Sequence, residues 1–269
     1  SHEEENALYV AILLHDIGHG PFSHAMEHSI VENVNHEAIS LLFMNKLNEE
    51  FEGKLALAIQ IFKGEYHRKF MLQLISSQLD MDRMDYLKRD SFYTGVAEGN
   101  INSDRLIQMM NVVDDVLVIE EKGIYSVEKF LMARRLMYWQ AYLHKTSLVA
   151  ETILTKLLKR AKDLTQKGVV LPASEALQFF MKNKVELNDF SHSVLHQFSQ
   201  LDDYDVVGAQ IILRYLTIAK LAKNPKFEEL VSIYKQKIAG VENQVFQETF
   251  NEFVIYLTTY ELPKWQRPW

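Results

Sequence analysis

Apolar residues recur at intervals of three and four through most of this chain, the period of an α-helix that buries one face. The pattern holds in ALYVAILLHDIGH (7–19), HEAISLLFMNKLNEEF (36–51), KLALAIQIFK (54–63), KFMLQLISSQLDMDRMDYLKRD (69–90), VEKFLMARRLMYWQAYLHKTSLVAETILTKLLKRAKDL (127–164) and DVVGAQIILRYLTIAKLAKN (205–224). Each predicts a core-facing helix. Asn35, ahead of His36 and Glu37, and Ser174, after Pro172, stand at N-cap positions, while Gly53, Gly64 and Gly168 close the runs before them. One stretch breaks the period: DVLVIEEKGIYSV sets two β-branched runs about a Glu-Lys-Gly turn and predicts a small hairpin from Val116 to Val127. The expected class is all-α with one small β-hairpin. Only 10 glycines and 5 prolines in 269 positions agree with long helices and few tight turns.

No internal repeat, low-complexity tract or flexible linker divides the chain, so one compact body is expected. Within it, residues 1–165 read as a core, and 166–269, with the polar loops PASEALQ, ELNDFSHS and SQLDDYD and no cluster of chemistry, as a helical extension packed on that core. Composition excludes more than it assigns. With 29 basic and 36 acidic residues the net charge is −7, which argues against duplex nucleic acid as a partner. There is no cysteine, so disulfides, thiolate zinc sites and cysteine nucleophiles drop out, and any metal must be held by His, Asp or Glu. No apolar run approaches the roughly 20 residues that span a bilayer. The SHEEEN start lacks the features of a signal peptide, so a cytoplasmic protein without a membrane partner is expected.

The chemistry is concentrated near the start. Five of the ten histidines, His15, His19, His24, His28 and His36, fall between positions 15 and 36. An apolar helix delivers His15 and Asp16 side by side, His19 follows a turn later, and Gly18, Gly20 and Pro21 break the helix before His24, Glu27 and His28. Imidazole and carboxylate together suit a borderline divalent ion such as Mn, Fe or Zn. A second stripe, in LDMDRMDYLKRD, aligns Asp82, Asp85 or Tyr86, Arg89 and Asp90 on a helix. It reads either as a source of a further metal ligand or as a solvated face with an Asp85–Arg89 ion pair. A third helix places Arg134, Tyr138, Tyr142 and Lys145 at intervals of four, four and three, a face of cationic and phenolic donors suited to phosphate oxygens and a sugar, or else a packing face with Arg134 reaching to solvent. Together the stripes point to metal-assisted phosphate ester chemistry. The P-loop, HExxH, GxSxG and GxGxxG patterns are all absent.

HDIGHGPFSH, then NHE, then DMDRMDYLKRD resemble the HD-domain metal-dependent phosphohydrolase superfamily, and RRLMYWQAYLHK is similar to its deoxynucleoside triphosphate triphosphohydrolase branch. The resemblance covers residues 5–160 and implies an HD-domain helical bundle. It implies metal ligation by His15, Asp16 and Asp82, with a divalent ion (Mn, Fe, Zn, Ni or Mg) as cofactor. It places the catalytic and phosphate-contacting roles on His19, His24 and His36, with Glu27 orienting His24. Arg83, Arg134 and Tyr138 then fall near the triphosphate, and Tyr86, Asp90 and Tyr142 around the deoxyribose; Lys145 is a substrate-binding candidate from the spacing of its helical face alone. His28 matches no role. The family pattern begins with a further histidine ligand tens of residues before the doublet; His2, 13 residues ahead of His15 in an acidic stretch, is a poor match, and that ligand is expected upstream of the residues given. The implied reaction releases deoxynucleoside and tripolyphosphate. A homo-oligomer, dimer or tetramer, is implied, with a nucleotide effector as an added partner in some members. Two other readings stand beside it: an HD hydrolase of a nucleoside monophosphate or guanosine alarmone, and a non-catalytic nucleotide-sensing module.

Overall fold

The computed structural model describes residues 1–27, 29–31 and 34–209. The chain divides into two units, one formed by Ser1–Val170 and Glu175–Asp203, the other by Leu171–Ser174 and Tyr204–Trp269. The first is helical apart from one hairpin. Its elements are α1 (His2–Leu14), α2 (His24–Glu27), α3 (His36–Glu50), α4 (Ala56–Phe62), α5 (Phe70–Ile75), α6 (Met81–Thr94), α7 (Ser103–Met109), β1 (Met110–Val113), β2 (Val116–Ile119), α8 (Ile124–Met137), α9 (Lys145–Gln166), α10 (Glu175–Lys182) and α11 (His192–Ser199). The all-α class with a single small hairpin is what the hydrophobic period implies.

Two apolar clusters hold the site between them. In one, Ala7 and Ala11 of α1 let that helix approach α4 and α5 closely, and Met44, Ile59, Ile61, Met71 and Ile75 fill the space. In the other, Met84 and Leu87 of α6 pack with Ile101, Leu106, Phe130, Ala133 and Met137. Asn35 caps α3 by accepting from the Glu37 amide at 2.8 Å. Gly53, Gly64 and Gly168 take φ of 84°, 68° and 90° as they end their helices, the left-handed conformation that glycine reaches without strain.

Three boundaries differ from the sequence reading. The run over 69–90 is two helices, because Ser77 and Asp80 draw backbone amides away from the helical ladder: Asp80 accepts from the Ser77 and Arg83 amides, both at 2.7 Å, and Ser77 accepts from Leu79 at 3.2 Å. The run over 127–164 is also two, joined by a π-turn at Tyr138–Tyr142 and by His144, whose extended backbone (ψ 136°) ends the helical path before α9. The hairpin turns at Asp114-Asp115, not at Glu-Lys-Gly. Both aspartates have positive φ, 48° and 62°, as a tight two-residue turn requires, and Glu121–Gly123 form a 3-10 turn instead. Of the predicted helix over 205–224, residues 205–209 are helical and the remainder lies outside the described residues. No helix among the described residues is long and apolar enough to cross a membrane.

Candidate metal and phosphate site

The end of α1 sets the centre of the site. His15 Nδ1 donates to the Ile12 carbonyl at 2.6 Å, which fixes the ring and sets Nε2 3.3 Å from Asp16 Oδ2 and 3.8 Å from Asp82 Oδ1. One donor atom each from His15, Asp16 and Asp82 lie within 4.8 Å of one another, and the same holds for Asp16, His19 and His36. The first set fits a divalent cation on its own chemistry. Its imidazole nitrogen is already oriented, and Asp82 is pushed above the usual carboxylate range by burial, with Asp16 and Asp80 adding to the shift and His15 opposing it. A cation between the two carboxylates would relieve that repulsion.

The turn that carries these residues is seated on α3. The Gly18 amide donates to the buried Ser40 hydroxyl at 2.9 Å, and a Cβ at Gly18 would overlap the His36 carbonyl and the Ser40 amide. The approach brings the His19 and His36 rings into a stack with centroids 3.9 Å apart. Glu27 Oε1 then accepts from His36 Nδ1 at 2.7 Å and from the His36 amide at 3.2 Å. His24 opens α2, but its side chain, like His28, lies outside the described residues.

A cavity of about 1030 Å³ opens from this centre toward α6 and the π-turn. Of the residues named from sequence, His15, Asp16, His19, His36, Asp82, Arg83, Tyr86, Asp90, Tyr138 and Tyr142 line it. Asp82, Tyr86 and Asp90 share one face of α6 at intervals of four, whereas Asp85 pairs with Arg89 on the solvent side. Arg83 is held by three groups: Asp80 at 3.2 Å, the Ser77 carbonyl at 2.7 Å and the Tyr86 hydroxyl at 3.3 Å. Burial disfavours its charge, but the Tyr86 and Asp80 contacts outweigh this and raise its pKa. At the far wall the Tyr142 hydroxyl donates to Asp90 Oδ2 at 2.6 Å, and its ring meets Tyr86 and Tyr138 edge-on. Burial first, then Asp90, pushes the Tyr142 phenol far above its ordinary value.

Three predicted residues, Arg134, Lys145 and Glu27, do not line the cavity, and neither does His2, the poor match to the upstream ligand. Arg134 is beside the cavity, its guanidinium 5.8 Å from the Tyr138 ring centroid and bonded to Gln78 Oε1 at 2.9 Å. Lys145 is exposed and does not line the cavity, because the π-turn and His144 break the helical register that would have aligned it with Tyr142. Glu27 sits behind His36. His2 is at the opposite end of α1, about 20 Å away at 1.5 Å per residue, with its side chain 85% exposed. Three charged lining residues are not among the candidates from the sequence: Glu37, Lys63 and Asp80. Asp80 had a readable signal, an aspartate directly before a helix and three residues ahead of an arginine. Lys63 had none.

Comparison with known proteins gives a consistent picture. The model of the HD domain matches residues 2–90, and that of the HD associated region matches 101–170. The uncharacterized protein YwfO of Bacillus subtilis is 34% identical over 89% of this chain and 59% of its own length. A Dictyostelium discoideum protein named as a deoxynucleoside triphosphate triphosphohydrolase SAMHD1 homolog is 26% identical over 82% of this chain and 44% of its own. The crystal structure of a phosphohydrolase from Bacteroides thetaiotaomicron superposes with a TM-score of 0.74 at 54% identity, covering 84% of this chain and 54% of that one. The chain therefore spans little more than half the length of the first of these relatives and of that structure.

Proposed function

Because the chain belongs to the HD-domain phosphohydrolase superfamily, we propose that it hydrolyses deoxynucleoside triphosphates to deoxynucleoside and tripolyphosphate. The observation that carries this reading is the single cavity that joins the His15–Asp16–Asp82 cluster to Arg83 and to the Tyr86–Tyr138–Tyr142–Asp90 wall. Its volume, within the several hundred to about 1000 Å³ of small-molecule sites, suits a whole nucleotide better than a lone phosphate. The name of the Dictyostelium relative supports the same substrate class.

In this reading His15, Asp16 and Asp82 hold a divalent ion, which when bound supplies Lewis acidity toward phosphate and a water of lowered pKa. The protein's own groups do the rest. Arg83, already fixed by Asp80 and Tyr86, compensates charge on the phosphates without reorganising. His19 and His36 contact phosphoryl oxygens, with Glu27 fixing the orientation of the His36 ring through its Nδ1. His24 protonates the departing 5′-oxygen. Tyr142, tied to Asp90, and Tyr86 enclose the sugar and crowd a 2′-hydroxyl, and Arg134 reaches the outer phosphates from the rim.

The test is chromatography of the products formed from each dNTP by the purified protein with Mn²⁺ or Mg²⁺. Tripolyphosphate and deoxynucleoside in equal amounts are the expected products. Release of phosphate from a nucleoside monophosphate with every dNTP left intact would replace this substrate with another phosphate ester.

A further inference from the structure

A buried lysine outside the cavity lining touches the segment that links two site residues. Lys162, near the end of α9, is 7% exposed, and its ammonium donates to the Ile30 carbonyl. Ile30 is itself 1% exposed and lies on the connection between Glu27 and His36, which are nine positions apart. Both ends of that connection meet at the Glu27–His36 hydrogen bond. Between them, the described amides of Ser29, Ile30 and Val31 turn back onto Met26, and the side chains of Ile30, Val31 and Val34 are buried. These interactions set the local shape of the segment. The Lys162 contact comes instead from a helix 132 residues away and ties the segment to the body of the unit.

Chemistry argues that the contact has a purpose beyond filling space. Burying an ammonium carries a large desolvation cost, and an apolar side chain of similar length would fill the same volume without it. What an apolar residue cannot supply is a charge-assisted hydrogen bond to a chosen carbonyl. Because bonds to a charged donor are directional and short, they fix where the segment stands relative to α9. Ile30 follows Glu27 by only three residues, and α2, which carries Glu27, packs against α9 as well.

We propose that Lys162 is a positioning residue: by holding the Ile30 carbonyl it sets the Glu27–His36 pair, and through it the orientation of the His36 imidazole in the cavity. Its consequence for turnover rests on the hydrolase reading given above, but its consequence for geometry does not. A readout independent of activity therefore separates the two. The Nδ1 proton of His36, shared with the Glu27 carboxylate at 2.7 Å, is expected as a downfield, slowly exchanging proton resonance in the whole chain. Lys162→Met should abolish or broaden that resonance, and Lys162→Arg, which keeps a charged donor, should retain it. Leu158→Ala, one turn earlier on α9 and 4% exposed, is the control for loss of packing alone and should leave the resonance in place. If hydrolysis is detected, Lys162→Met should lower kcat about tenfold with KM changed less than twofold. Persistence of the resonance in Lys162→Met, or its equal loss in Leu158→Ala, would reduce Lys162 to an ordinary core residue. Should the Met variant fail to fold, loss of the resonance in a folded Lys162→Arg protein would overturn the proposal as well.

Discussion

Three aspartates within six positions, Asp80, Asp82 and Asp85, have three different fates, decided by where each carboxylate finds its partners. Asp80 is 2% exposed and caps α6, Asp82 faces the cavity, and Asp85 pairs with Arg89 in solvent. Spacing shows that Asp82 and Asp85 neighbour one another on a helix, but not which of them a second body of chain will cover, so spacing leaves both open and only the family resemblance singles out Asp82. Asp82→Asn is expected to abolish metal-dependent hydrolysis while leaving the melting temperature of the chelator-treated protein equal or higher, since a carboxylate disfavoured by burial is removed; calorimetry without metal and the product assay together check this. Asp80→Ala should cost about 1 kcal/mol as a lost helix cap, and should also raise KM, because Arg83 loses the carboxylate that orients it. Tyr142 gives a pH prediction. Tyrosine in an unfolded chain ionises near pH 10, whereas in the folded protein burial and Asp90 hold the phenol protonated well beyond that. The folded state thus retains a proton that the unfolded state releases, so this contribution to stability is whole below about pH 10 and declines as pH rises above it. Denaturant titrations of the wild type and of Tyr142→Phe should show a steeper alkaline loss in the wild type.

At the level of elements, what the sequence disclosed was governed by period, and what it concealed was governed by interruption. Apolar residues recur at helical spacing through α1, α3, α4 and α8, which is why their existence could be read directly. The breaks at 76–80 and 138–144 depend on side-chain hydrogen bonds and on a π-turn, which leave no periodic trace. That turn also decides a site question: it keeps Tyr138 and Tyr142 on the cavity wall and removes Lys145 from it. Arg134→Ala should therefore weaken triphosphate binding several-fold, and Lys145→Ala should leave kcat and KM within about twofold of wild type in steady-state kinetics, the range of a surface substitution. The hairpin shows the same principle on a smaller scale. Its β-branched residues were legible, but Asp114-Asp115 was passed over for a turn containing glycine. Asp115 also accepts from the Lys69 amide at the start of α5, a tertiary contact that no local pattern announces.

For the molecule as a whole, the site is where segments distant in sequence meet: the turn after α1, the start of α3, the cavity face of α6 and the π-turn before α9. The motif strings identified these segments individually. Their convergence follows from the two apolar clusters, which bring α1 against α4 and α5 on one side and α6 against α8 on the other. A cation shared by His15, Asp16 and Asp82 would then cross-link the end of α1 to α6, between elements that separate when the unit unfolds. An ion that binds only the folded state adds RT ln(1 + [L]/Kd), about 2.7 kcal/mol at a hundredfold excess over Kd. For a unit of this size each kcal/mol moves the midpoint by about 2–4 °C. Adding Mn²⁺ to chelator-treated protein should therefore raise the melting temperature by about 5–10 °C, and Asp82→Asn should erase most of that rise. A variant at Asp85, which also carries a carboxylate on α6 but faces solvent, should respond like the wild type. Equal responses in the Asp82 and Asp85 variants would mean that the ion is held elsewhere, and the proposed ligand set would fail with it.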